Sequence, residues 1–339
     1  MTVHFTQLSD LGVAGVQTVL DEAAAWKRSS APRAHLSGRL LAMVFFNPSL
    51  RTRASFEAAM LRGGGNAIVL DVGNGIWKLE DRTGAVMNGD RPEHIREAIP
   101  VLGRYADALA VRSFGALTDD DADAADPVMQ AFRQLAGVPV ISMESAREHP
   151  CQGLADLLTV RETFGDTQQL PVALTWAPHI KPLPKAVPHS FLLTAAAAGC
   201  EVRVAHPPGF ELHRSVVAQA EHYAQQSGGS ISFTGDQRAA VAGSRVVYAK
   251  AWGPATSAHA NTDAVGQIAA NRSWLINNAV MSAAARDAIF LHCLPVRRNV
   301  EVADEVLDGL SSRVIDEAGN RFHVQRVLLH RLFHPQQGA

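Results

Sequence analysis

The sequence predicts an α/β protein of two doubly wound parallel-sheet domains. Three observations carry that expectation. The chain has 339 residues, and at roughly 100–200 residues per domain this is two domains more readily than one. Apolar residues make up 47% and charged ones 19%, enough to bury sizeable cores. Short apolar runs rich in Val and Ile alternate with helical stretches along most of the chain, the pattern of parallel strands covered on both faces.

Taken in order, Val16, Leu20, Ala23 and Trp26 form the apolar stripe of a first helix. Leu40–Phe46, Ala67–Leu70, Ala108–Val111 and Val138–Met143 read as buried strands, and a helix is expected from about Thr52. A long helix over residues 150–164 bridges the halves. Then come strands at Val172–Trp176, Val202–Ala205, Val246–Ala249 and Ala288–His292, with a helical stripe at Val216, Ala220 and Tyr223 between them. Two groups of four strands fit two doubly wound domains: residues 1–146, completed by a C-terminal helix over 318–334, and residues 147–317. The acidic stretch Asp119–Asp126 reads as a solvated loop, and the segment Pro178–Pro188, with four prolines, as a stiffened extended loop that a substrate-facing role would explain.

Several function classes are excluded early. Thirty-one Lys and Arg against 33 Asp and Glu give a net charge of −2, too little field for nucleic acid or an anionic membrane. No apolar run approaches the ~18 residues that span a bilayer, and the start Met1-Thr-Val-His lacks the features of a secretory signal. Cys151, Cys200 and Cys293 are odd in number and far apart, which argues for a reducing compartment. A cytoplasmic globular enzyme is expected. No HExxH or Cys/His zinc pattern occurs, so neither metal nor cofactor is expected; His330 and His334, four apart near a helix end, read as structural.

Three segments can carry chemistry. In Phe46–Phe56, a strand ends and a helix begins around Ser49, Leu50, Arg51, Thr52 and Arg53: either an anion site at the carboxyl edge of a sheet or ordinary capping with solvated arginines. There is no P-loop or dinucleotide fingerprint. In Glu148-His-Pro-Cys-Gln-Gly153, His149 and Gln152 share a helix face if the helix has begun; they would hold a carbonyl oxygen or an ammonia-like group, or Pro150 simply marks a helix start. Glu144, just before, is solvated or aimed into a cleft. In Leu291–Asn299, Cys293 is either a thiol activated by the two arginines that follow or a small buried hydrophobe. Trp77, in a Gly-flanked loop, is an expected contact with a partner or substrate.

Together and in this order, SLRTR at 49–53, HPCQ at 149–152 and HCLPVRRN at 292–299 resemble the signatures of the aspartate/ornithine transcarbamylase superfamily, over nearly the whole chain. That resemblance implies two doubly wound domains with the site between them, assembled as a homotrimer. It departs from ordinary ornithine transcarbamylases: no Ser-Met-Gly segment is present, and the proline-rich segment, Trp176 and Lys250-Ala-Trp252 resemble the N-acylornithine transcarbamylases of arginine synthesis, in which that loop is threaded as a knot. In the ordinary enzymes that segment and an Asp of the second domain grip the α-amino-acid end; an acylated α-nitrogen is neutral and would leave such a buried carboxylate unpaired.

By resemblance, carbamoyl phosphate meets Ser49, Leu50, Arg51, Thr52, Arg112, His149, Pro150, Cys151, Gln152, Cys293, Leu294 and Arg321, with Trp77 from the neighbouring subunit. The acylornithine meets Glu144, His179, Lys250 and Arg297. Thr52, Arg112, His149 and Gln152 are the expected catalytic groups. For the acyl group, the acetyl enzymes have Glu where this chain has Pro92, and Lys where it has Glu301. A Glu would repel the second carboxylate of a succinyl group and Pro would not, which favours N-succinylornithine over N-acetylornithine. An ordinary ornithine or aspartate carbamoyltransferase, and a catalytically silent binding relative, are the rival readings; no motif residue is missing, as a silent relative would require.

Overall fold

The computed structural model describes residues 3–29, 34–257 and 263–335; Met1 and Thr2 of the amino-terminal stretch read above lie outside them. Its strands are β1 (Leu40–Phe45), β2 (Asn66–Asp71), β3 (Leu79–Glu80), β4 (Glu93–His94), β5 (Ala108–Arg112), β6 (Val140–Glu144), β7 (Pro171–Trp176), β8 (Glu201–Ala205), β9 (Ser230–Thr234), β10 (Val246–Lys250) and β11 (Ile289–Leu291). They form a four-stranded sheet ordered β2-β1-β5-β6, a five-stranded sheet ordered β11-β10-β7-β8-β9, and a ribbon of β3 with β4. All pairings are parallel.

The alternation of side chains along a strand explains why both faces are covered. In β1, Leu41, Met43 and Phe45 enter a core shared with helices Gly12–Arg28, Leu50–Arg62 and Val314–Phe333, whereas Ala42 and Val44 enter a separate core with helices Ile95–Tyr105 and Pro127–Leu135. The four residues of the first helical stripe are all buried, as are Val216, Ala220 and Tyr223. Helix Pro150–Phe164 runs between the two sheets' cores, and the C-terminal helix Val314–Phe333 packs back on it and on helices Gly12–Arg28 and Leu50–Arg62. Gly153 makes that close fit possible: a Cβ there would stand 2.7 Å from the Ser190 carbonyl of helix Ala186–Ala197.

The structure corrects several expectations. The second sheet has a fifth strand, Ser230–Thr234; at an edge and largely exposed, it alternates Ser, Ile, Ser, Phe and Thr and shows no continuous apolar run. The SLRTR helix begins at Leu50, capped by the Ser49 hydroxyl, rather than at Thr52. The C-terminal helix begins at Val314, four residues before the expected start. Helix Ala186–Ala197 takes Pro188 into its first turn, where a missing N–H costs little, so the extended segment ends earlier.

The acidic stretch is not a solvated loop. Asp119 caps a short helix, Asp120–Ala125. Asp120 holds the buried Lys185 ammonium at 2.5 Å and the Thr256 hydroxyl at 3.1 Å, and Asp123 accepts the Ala116 and Leu117 N–H groups. Repetitive composition hid three distinct bonding roles.

Candidate active site

The strands of both sheets end at one cleft of about 680 Å³, the position that open parallel sheets give to ligands. From the first sheet come Ser49, Arg51 and Thr52 after β1, Arg112 at the end of β5, and Glu144 at the end of β6. His149 and Gln152 open helix Pro150–Phe164, and Arg321 reaches in from the C-terminal helix. From the second sheet come Lys250 at the end of β10 and the loop after β11, with Cys293, Leu294 and Arg297. The proline-rich loop supplies His179, Lys181, Leu183 and Pro184, so it lines the cleft.

One end of the cleft is built for an anion. The Thr52 N–H is held by the Ser49 hydroxyl at 3.3 Å, and the start of helix Leu50–Arg62 adds its dipole. Arg321, buried, donates to the Thr52 hydroxyl oxygen at 2.6 Å. Burial, and then the Arg112 charge, bring its pKa down to about 10, which keeps it cationic at neutral pH. Arg51 Nε, Arg112 Nε, His149 Nδ1 and Arg321 Nε are buried without a partner among the described residues. Polar groups in such a state are costly, and the three guanidinium charges of Arg51, Arg112 and Arg321 gathered beside the helix start favour an anion in the cleft.

Arg112 pairs with Glu144 in a short charge-assisted bond. Glu144 is therefore in the cleft, not solvated. His149 Nε2 stands 3.7 Å from the same carboxylate, yet burial, followed by the charges of Arg321, Arg112 and Arg51, pushes the imidazole pKa well below its usual value. A neutral His149 results, held by its backbone N–H on the Ser190 hydroxyl at 2.7 Å. A neutral imidazole can donate to an oxygen without adding charge.

The opposite end is amphiphilic. His179 donates from Nδ1 to the Lys181 carbonyl at 2.9 Å and accepts from Arg297 Nε at 2.9 Å. Burial lowers its pKa too, in keeping with that accepting nitrogen. Glu301, also in the cleft, accepts from His292 Nε2 at 3.1 Å and from the Arg297 N–H at 3.0 Å. Leu294 adopts a left-handed φ of 48°, an unfavourable conformation of a kind that concentrates at functional loops.

Not every expected residue lies in the cleft. Pro150 and Cys151 are buried at the helix start, and Cys151 Sγ points at the Ser142 carbonyl, 3.6 Å away. Trp77 is 60% exposed and donates to Glu93 at 2.7 Å; Pro92, beside Glu93, is exposed as well. Both belong to the β3–β4 arm, outside the cleft of their own chain. The Cys293 thiol is no activated nucleophile: burial pushes its pKa up to about 12, which corrects that alternative. Sequence reasoning missed Phe114, Lys181, Leu183, Pro184 and Val187 as cleft residues; the proline-rich composition marks only the region of the last four, and no signal marks Phe114.

Comparison with known proteins decides the family. The carbamoyl-P binding domain of the aspartate/ornithine carbamoyltransferases matches residues 3–162, and their Asp/Orn binding domain matches residues 184–332. The chain belongs to the aspartate/ornithine carbamoyltransferase family. It is a carbamoyltransferase. Over 330 residues it is 41% identical to N-succinylornithine carbamoyltransferase of Bacteroides thetaiotaomicron, covering 97% of this chain and 98% of the relative. Over 332 residues it is 40% identical to N-acetylornithine carbamoyltransferase of Xanthomonas campestris pv. campestris, covering 97% of each. A crystal structure of N-acetyl-L-ornithine transcarbamylase with one glutamate replaced by proline, complexed with carbamyl phosphate and N-succinyl-L-norvaline, superposes with a TM-score of 0.92 at 39% identity, covering 97% of this chain and 99% of the other.

Proposed function

We propose that this carbamoyltransferase moves the carbamoyl group of carbamoyl phosphate onto the δ-amine of N-succinyl-L-ornithine, giving N-succinyl-L-citrulline and phosphate in arginine synthesis. The acyl choice rests on Pro92, uncharged and exposed on the β3–β4 arm, at the place where, by resemblance, the acetyl enzymes carry a glutamate. The glutamate-to-proline variant solved with N-succinyl-L-norvaline supports the same reading.

In this proposal phosphate lies on the 49–53 helix start with Arg51, Arg112 and Arg321. Arg321 occupies a lone pair of the Thr52 hydroxyl, leaving its hydrogen for the carbamoyl oxygen. Arg112 and neutral His149 are the other donors to that oxygen as it becomes negative. The δ-amine, deprotonated from a value near ~10.4, attacks the carbamoyl carbon; the N–C bond forms, the C–O bond to phosphate breaks, and the departing phosphate takes the amine proton. Cys293 and Leu294 position the carbamoyl group through their backbone, while Glu144, His179, Lys250 and Arg297 receive the amino-acid end.

The arm completes the site only if it reaches a neighbouring copy, so the active form is a homotrimer with Trp77 delivered in trans. The proline-rich loop, whose Leu183 carbonyl accepts the Gly253 N–H at 2.9 Å, takes the threaded path of the acylornithine enzymes, and the enzyme works in the cytoplasm. The test is citrulline-type product formation from carbamoyl phosphate with ornithine, N-acetylornithine and N-succinylornithine side by side. Preference for the acetyl substrate would overturn the acyl choice alone; preference for free ornithine would overturn the acylornithine reading.

A further inference from the structure

Behind the cleft wall lies a layer of ionisable groups with no part in the chemistry described so far. Asp156 follows Gln152 by one helical turn, and Glu317 precedes Arg321 by one turn on the C-terminal helix. Residues at that spacing share a helix face, so each carboxyl sits beneath a cleft residue of its own helix. Both are fully buried. The two carboxyls meet at the Gln152 amide nitrogen, and burial drives both above the usual carboxylate range, which favours a proton shared by the pair. Glu317 Oε2 also accepts the His292 N–H at 2.8 Å, and the Tyr248 hydroxyl lies against Asp156.

These bonds leave the Gln152 side chain one orientation. Its Nε2 donates to Asp156 Oδ1 at 2.7 Å and to Glu317 Oε1 at 3.2 Å, which uses both amide hydrogens. A flipped amide would press its oxygen onto two carboxyl oxygens and leave them without donors. What remains for the cleft is Oε1. A carbamoyl group presents a carbonyl oxygen and an NH2. Thr52, Arg112 and His149 offer donors, which suit the oxygen, and the NH2 needs an acceptor.

We propose that Asp156 and Glu317 act as one positioning pair that fixes the Gln152 carboxamide with its oxygen toward the cleft, as acceptor for the carbamoyl NH2, and that through His292 the same pair holds the 292–297 loop in register. The pair touches no reacting atom. It ties together the second and third sequence motifs and the helix that carries Arg321. The inference rests on carbamoyl transfer and is indifferent to the acyl group.

The two carboxyls are not equivalent, and that makes the proposal testable. Asp156→Asn keeps an oxygen for Gln152, and its new N–H takes the place of the shared proton toward Glu317. Glu317→Gln has one oxygen where Glu317 uses two, so either Gln152 or the His292 N–H loses its acceptor. With carbamoyl phosphate and the preferred amine, Asp156→Asn should keep kcat within about threefold, whereas Glu317→Gln should lose about thirtyfold or more. The inhibition constant of inorganic phosphate, which reads the anion grip alone, should stay within about threefold in both. Should Glu317→Gln fail to fold, Asp156→Ala against Asp156→Asn carries the test, with the loss expected only in the alanine variant. Equal losses in the two amide variants would overturn the proposal. So would a phosphate constant that rises in step with the loss of kcat, or an Asp156→Ala enzyme that keeps kcat within threefold.

Discussion

The anion end of the cleft and the β3–β4 arm are opposite kinds of functional region. At the first, Thr52, Arg112, His149, Gln152 and Arg321 are buried and braced by hydrogen bonds to one another or to a second layer. At the second, Trp77 and Pro92 are exposed and lie outside their own chain's cleft. The lesson is that the groups proposed as donors to developing charge are preorganised within one chain, where any reorganisation would fall on the reaction step. Groups that choose among substrates need only arrive with the right charge and shape, and a second chain can deliver them.

The largest expected effect lies at the anion end. His149→Ala should lower kcat by about 10²–10³-fold, since one donor to a developing oxyanion is worth about 2.7–4 kcal/mol. Because burial and the surrounding arginines keep His149 neutral, the wild-type kcat profile should show no limb from this residue between pH 5 and 8. A limb near 6.5 that vanishes in the variant would show that the imidazole titrates and that its role is charged.

The arm is next, and its test separates delivery in trans from an ornamental loop. Subunits carrying Trp77→Ala and subunits carrying Arg112→Ala should each be nearly inactive as homotrimers. Randomly mixed trimers should recover about a quarter of the wild-type rate, because one site in four then pairs an intact body with an intact arm. No recovery in hybrids shown to have formed would break the comparison, since the arm would then serve its own chain.

This contrast also explains what was legible in the sequence. Contiguous motifs gave Ser49 to Thr52, His149, Gln152 and Cys293 because a strand end followed by a helix start places neighbours in sequence on one ligand. Arg112 and Arg321 are lone residues, one ending a strand and one mid-helix; only resemblance to a family pointed to them. Asp156 and Glu317 were readable in principle, four residues from Gln152 and Arg321, but a buried carboxyl pair looks like any solvated charge until its neighbours are known. The edge strand Ser230–Thr234 and the acidic helix Asp120–Ala125 escaped for the same reason. Both take their structure from bonds to distant segments rather than from an apolar period.

The arm's second residue gives a smaller, sharper effect. Pro92→Glu should lower the ratio of kcat/KM for N-succinylornithine over N-acetylornithine by at least about tenfold, equal to ~1.4 kcal/mol. Two like charges ~4 Å apart at an effective dielectric near 20 repel by ~4 kcal/mol, and solvent at the exposed arm reduces that figure. An unchanged ratio would remove Pro92 as the determinant while leaving the family and the anion end untouched.

The smallest effect belongs to Cys293, which a thiol-based mechanism would make the largest. Its position beside two arginines in sequence invites that mechanism, but proximity in the chain is not proximity of charge. Arg298 turns outward to Asp304 and Asp308, at 2.8 Å and 2.7 Å, and Arg297 is engaged with His179. The thiol is left in a buried setting that disfavours its anion, so it is both a poor nucleophile and a poor base. Cys293→Ser is close in size and leaves the backbone of the 292–297 loop in place. It should keep kcat within about threefold, well short of the loss expected at His149. A loss of 10²-fold or more, or a carbamoyl group trapped on the sulfur, would move the chemistry from the preorganised donors to this loop.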